Sequence, residues 1–242
     1  HGIKQQFVAD LGVSGQPPYQ TDDGKGGWAG DYGYPNYVAT EGQRIVLGTG
    51  GAEAAPTSIG TDLEGRRQWG AFVGHKGPLT LHQDFGYFVK TGSASLVKFD
   101  ARTGYLAPFS GGKPEVPILI KEAGDKDWPA RSWSWGGMTV YQGQLLLINR
   151  FEERLYQIEL ASGKVLGFQP LPKPYGLAAA ADGRLLAVSS GRVGVYHLAR
   201  QAFEPLSPEL DQPGHLAVGP DGATFVALQG QTQQVWQLSA KG

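Results

Sequence analysis

The sequence predicts an all-β chain folded as a β-propeller of four-stranded blades. Three observations carry this. Two independent series of turns recur at one period near forty residues. The segments between the turns are short apolar runs of strand length. Gly (37) and Pro (16) together are roughly twice as frequent in the 242 residues as in an ordinary domain.

The first turn series joins two apolar runs each time it appears. Runs at 37–41 and 44–47 flank Gly42, and runs at 79–82 and 87–89 flank a turn assigned to Gly86. The same pattern surrounds Gly143, Gly183 and Gly222. A strand, an Asp-Gly-like turn and a second strand make a hairpin, because glycine supplies the positive φ that a tight turn needs. The second series ends at positions 65, 104, 163, 202 and 242. Each series has one long interval, and both long intervals span the same segment. Each repeat therefore holds four strands, here A to D, which is the unit of a propeller blade. The short β-branched and aromatic runs exclude a helical solenoid of similar period.

The repeat resembles a known propeller type. Pro174-Tyr175-Gly176-Leu177, followed by Asp182-Gly183 and an apolar run, resembles the NHL and YVTN/PQQ-like repeats. Pro213-Gly214-His215-Leu216 with Asp221-Gly222 follows the same pattern. The first two repeats keep Pro35 and Pro78, and in the third Gly136-Gly137 stand where the proline is expected. The resemblance spans about residues 35–242. It implies the fold but no one function, since such propellers include binding scaffolds, hydrolases, lactonases and lyases.

The chain is read as one domain over residues 1–242 with five repeats. The last repeat stops after its C strand. Residues 3–11 are strand-like and are expected to supply its D strand, removing an exposed sheet edge. The alternative is a piece of a six- or seven-bladed ring. Residues 12–34 read as a long loop, and an insertion at about 105–135 separates the second and third repeats. The sequence begins at His1 rather than Met, as expected of a processed or excised chain.

Composition excludes several classes. Lys and Arg (21) nearly balance Asp and Glu (22), so the basic footprint of a nucleic-acid binder is missing. No apolar run reaches membrane-spanning length. An apolar share of 40% with six Trp, ten Tyr and ten Phe is too rich for disorder. There is no Cys, hence no disulfide, thiolate site or Cys nucleophile. A Ser nucleophile elbow, a P-loop and a dinucleotide fingerprint are also missing. The five His include no local metal-binding pair, so neither a metal nor a cofactor is expected. A Trp- and Gly-rich β chain is expected outside the cell or in a periplasm.

Antiparallel order places the A–B and C–D turns on one face. The B–C loops and the connectors into each A strand lie on the other. The second face carries the irregular segments, where function usually sits on loops held by a rigid scaffold. The candidate ligand-binding residues are Trp28, Asp31, Tyr34, Asn36, His75, Trp133, Trp135, Arg150, Tyr175 and His215. Glu53, Glu152, Glu153 and Arg192 are expected beside them. Trp and Tyr next to polar groups suit a glycan or a protein partner. The chain is therefore read as a recognition or scaffold module. One alternative is a glycoside hydrolase or lyase using Asp31, Glu53 and Glu152 or Glu153 as acid and base. Another is a subunit of a larger assembly.

Overall fold

The structure, a computed structural model, describes residues 35–49, 58–62, 67–71, 77–219, 222–229 and 234–238. The expected closing strand at 3–11 and the loop at 12–34 lie outside the described residues. Five antiparallel sheets are present, each a simple meander. The first holds β1 (Pro35–Glu41), β2 (Arg44–Thr49), β3 (Ser58–Thr61) and β4 (Arg67–Ala71). The second holds β5 (Leu79–His82), β6 (Phe85–Lys90), β7 (Ser95–Asp100) and β8 (Glu115–Pro117). Next comes a short helix, α1 (Trp128–Trp133), and a sheet of β9 (Trp135–Tyr141), β10 (Gln144–Asn149), β11 (Arg154–Glu159) and β12 (Val165–Pro170). The fourth sheet holds β13 (Pro174–Ala179), β14 (Leu185–Ser189), β15 (Arg192–His197) and β16 (Ala202–Pro205). The fifth shows three strands among the described residues: β17 (Pro213–Val218), β18 (Thr224–Leu228) and β19 (Gln234–Leu238). These sheets are the blades of a β-propeller. The chain falls into two compact units, residues 1–91 with 95–115, and residues 92–94 with 116–242.

The second strand of a blade explains the core. Leu145 to Ile148 on β10 and Leu185 to Val188 on β14 are buried on both faces. A strand buried on both faces needs a continuous apolar run rather than an alternation. In the second unit Leu146, Ile148, Leu155, Leu171, Leu177, Leu185, Ala187 and Tyr196 form one cluster between blades 3 and 4. Val188, Val193, Val226 and Leu228 form another between blades 4 and 5. In the first unit Ala39, Val46, Leu79, Leu81, Phe88, Val97, Phe99 and Ala101 do the same for blades 1 and 2.

Glycine makes the close approach of the innermost strands possible. A Cβ on Gly137 would strike the Leu177 backbone, and one on Gly176 would strike the Gly214 carbonyl. A second glycine role corrects the sequence reading. Gly86 lies inside β6, not in the hairpin turn, which is formed at Gln83 and Asp84 with Gln83 at φ 56°. A Cβ at Gly86 would overlap the Phe99 ring, so the glycine makes room for the core.

The insertion is partly structured. The fourth strand of blade 2 is interrupted: Leu106 bridges Phe99, and Ala107 N–H donates to the Lys98 carbonyl at 3.0 Å. The chain then loops out before Lys98 N–H donates to the Pro114 carbonyl at 3.0 Å. The helix α1 was not expected from the sequence. It spans only six residues, and Pro129 in its first turn is the one local sign of it.

Within each unit the A–B turns meet, as the strand order requires. In the first unit, Arg44 donates to Gln83 O at 2.9 Å and Asp84 Oδ1 at 3.1 Å, joining the A–B turns of blades 1 and 2. Tyr141 Oη donates to Gly183 O at 2.8 Å and joins those of blades 3 and 4.

Candidate functional site

The site lies on the loop face of the second unit. It starts from Asn149, the last residue of β10, which is fully buried. Its Nδ2 donates to the Arg131 carbonyl at 2.8 Å, and its Oδ1 accepts the Glu152 N–H at 3.1 Å. The next residue, Arg150, donates its backbone N–H to Ser134 O at 2.7 Å. These bonds hold the B–C turn of blade 3 against the end of α1. They also fix where the Arg150 side chain starts.

From there the Arg150 guanidinium lies 4.6 Å from the centre of the Tyr175 ring. Tyr175 meets His215 edge to face, with centroids 5.4 Å apart at 80°. Both rings sit in the register irregularities that follow Pro174 and Pro213 on the innermost strands β13 and β17. A bulge of this kind re-aims side chains locally. His215 has solvent-exposed surface yet is crowded by protein. That desolvation, with the Arg150 charge, holds its imidazole below the ordinary pKa.

Trp133 and Phe151 flank the same Ser134–Arg150 contact in sequence and are 52% and 48% exposed. Arg150 differs from its neighbours in charge pairing. Arg44, Arg102, Arg131, Arg154 and Arg184 each have a carboxylate within 4.0 Å. Arg150 has no such carboxylate among the described residues.

Beside this stack is a charged clamp. Arg131 on α1 donates to Asp125 Oδ2 at 2.7 Å and to Glu152 Oε1 at 2.9 Å. The Tyr156 hydroxyl donates to the other Glu152 oxygen. Arg154 lies 3.9 Å from Glu152 and stacks on Phe168 at 4.0 Å. Burial works against the Arg131 charge, but Glu152 and Asp125 outweigh it and raise its pKa. Burial and the adjacent Glu152 carboxylate push the Tyr156 phenol well above its usual value. The clamp fastens the helix to blade 3. The Trp128 indole adds a hydrogen bond to Gly92 O at 3.2 Å, and Gly92 N–H donates to Ser132 O at 3.2 Å.

The structure therefore brings Arg150, Tyr175 and His215 together, with Trp133 nearby on the chain. Trp135 is placed differently. It pairs with Asn149, as Pro174 pairs with Ser189 and Pro213 with Leu228. Trp135, not Gly136-Gly137, thus occupies the proline position of its repeat. It is 4% exposed, donates to Ser132 O at 2.8 Å and packs edge-on against Tyr156. That makes it core rather than surface. Glu152, read from sequence as a candidate acid or base, has both oxygens engaged. Glu153 is exposed at φ 52°, and Arg192 is exposed at the start of β15. Trp28, Asp31, Tyr34, Glu53 and His75 lie outside the described residues, and only the backbone of Asn36 is described. Phe151 was missed by the sequence reading, although its place beside Arg150 in a B–C loop was a signal for it. Among the described residues no three His, Asp or Glu side chains converge as metal ligands.

No protein-family model matches the chain, and no curated protein matches it. Solved structures are similar in fold. Virginiamycin B lyase from Staphylococcus aureus is 14% identical, over 86% of this chain and 70% of that one, with a TM-score of 0.56. A protein of unknown function from Bacteroides caccae is 13% identical over 86% and 79%, with a TM-score of 0.61. Glutaminyl cyclase from Myxococcus xanthus is 15% identical over 86% and 90%, with a TM-score of 0.51. At such identities the likeness shows the β-propeller fold alone. No helix is long and apolar enough to cross a membrane among the described residues.

Proposed function

We propose that this chain is a recognition propeller that binds a glycan or a protein partner on the loop face of its second unit. The observation that carries the reading is the convergence of Arg150, Tyr175 and His215 from three blades into one chain of contacts. Trp133 and Phe151, next in sequence to the Ser134–Arg150 contact, are exposed. Aromatic and Arg anchors of this kind, held on a rigid scaffold, are what binding surfaces use. The test is a glycan array probed with the native chain and with a Trp133→Ala/Tyr175→Ala double variant of matched urea midpoint. Loss of most array signal in the variant is expected. Array binding that ignores both substitutions would refute the reading.

A second reading, a carbohydrate-active lyase, has one observation in its favour. His215 is disposed to stay neutral beside Tyr175 and Arg150, as a general base must. Eliminative cleavage of an acidic polysaccharide that vanishes in His215→Ala would establish it. Its carboxylate version is weaker, since Glu152 is spent in the clamp.

A further inference from the structure

We propose that Arg150 is the receptor for a carboxylate on an acidic glycan. This rests on the reading of the loop face as a binding site. The cation–π contact, with the guanidinium carbon 4.6 Å from the centre of the Tyr175 ring, holds the group without using its N–H donors. The backbone bond to Ser134 and the buried Asn149 hold the turn that carries it. Ion pairs engage five other described arginines, whereas Arg150, like Arg192 and Arg200, has no described carboxylate in reach, and of these three it alone lies over a described ring. A preorganised planar fork with unspent donors matches a carboxylate bidentately.

The surroundings favour a sugar acid over an acidic peptide. One cation lies over a ring: Arg150 faces Tyr175, which in turn meets His215 edge to face, and Trp133 and Phe151 are exposed next in sequence to the Ser134–Arg150 contact. A uronate offers one carboxylate per ring and apolar C–H faces for those aromatics. An acidic peptide needs several cations. Arg131 and Arg154, the nearest arginines in sequence, are already paired with carboxylates, exposed Arg192 has no aromatic partner among the described residues, and the whole chain carries a net charge of −1. The ligand's negative charge would also offset the repulsion that Arg150 imposes on a protonated His215.

Titration calorimetry with trigalacturonate, its methyl ester and hexaglutamate tests this on the full chain. Trigalacturonate is expected to bind at least tenfold tighter than the ester. Arg150→Gln should remove roughly 10- to 100-fold of that affinity, the worth of hydrogen bonds to a charged group. Arg150→Lys should restore only part of it, because an ammonium cannot reproduce the fork. Urea midpoints equal to native in both variants exclude misfolding as the cause. Equal affinity for acid and ester, with both lost in Trp133→Ala, overturns the carboxylate inference and leaves the binding face standing. Preference for hexaglutamate overturns the glycan assignment alone. Binding of none of the three overturns the inference, whereas the binding face itself falls only by the array experiment above.

Discussion

Glu152→Gln separates a structural carboxylate from a catalytic one. The substitution keeps the shape of the side chain and removes its charge. In the native chain one Glu152 oxygen accepts from Arg131 at 2.9 Å and the other from the Tyr156 hydroxyl, and the side chain is only 9% exposed. Breaking a fully buried pair costs about 3–5 kcal/mol. Two features reduce that here. Arg131 keeps Asp125 at 2.7 Å, and its own side chain is 26% exposed. The amide can still accept a hydrogen bond from Tyr156. The expected loss is therefore about 2 kcal/mol, nearer the value of one charged hydrogen bond. For a chain of this size that lowers Tm by roughly 4–8 °C. Differential scanning calorimetry on both proteins measures it, with array binding followed in parallel. Lower stability with ligand binding retained is expected. Unchanged Tm together with lost function would refute the clamp and return Glu152 to the chemistry.

Gly86→Ala should destabilise the first unit by about 2 kcal/mol, because its methyl group overlaps the Phe99 ring; urea unfolding reports it. Gly137→Ala should cost at least as much, since the obstacle is the Leu177 backbone, which cannot rotate away; a midpoint within error of native would contradict the strand packing described for blades 3 and 4. His215 has a lowered folded pKa, so the unfolded chain binds its proton first as pH falls. Its contribution to stability is complete above the unfolded value near 6.5 and is lost as pH drops through the folded one. His215→Asn should flatten the stability–pH curve in that window, as read by urea midpoints between about pH 7 and 4. Tyr175→Phe should leave the Arg150 stack intact and Tyr175→Ala should abolish it, so ligand affinity ought to fall only in the second.

Much of the fold was legible because blade geometry is written into local chemistry. A forty-residue period, Gly at hairpin turns and unbroken apolar runs such as 145–148 need no long-range information. Strand order alone then assigned Arg150, Tyr175 and His215 to one face. Register was harder. Trp135, Tyr175 and His215 are spaced at equal intervals of forty residues, yet Trp135 stands at the proline position of its repeat, Tyr175 one residue after it and His215 two after it. Each of these strands has a register irregularity at that point, so equal spacing does not reveal which ring is buried and which two meet. The role of Gly86 escaped for a similar reason: its neighbour Phe99 arrives from another strand.

The sequence by itself determined the all-β class, the four-stranded repeat and the face on which irregular loops collect. Each follows from backbone preference and burial period, which act over a few residues. Only the tertiary structure decided which charges are spent and which remain. Glu152 lies 21 residues from Arg131 and is consumed by it, while Arg150, two positions away, turns instead onto a ring 25 residues downstream. Pairing between distant groups depends on the distance and desolvation that folding imposes, and a linear spacing carries neither.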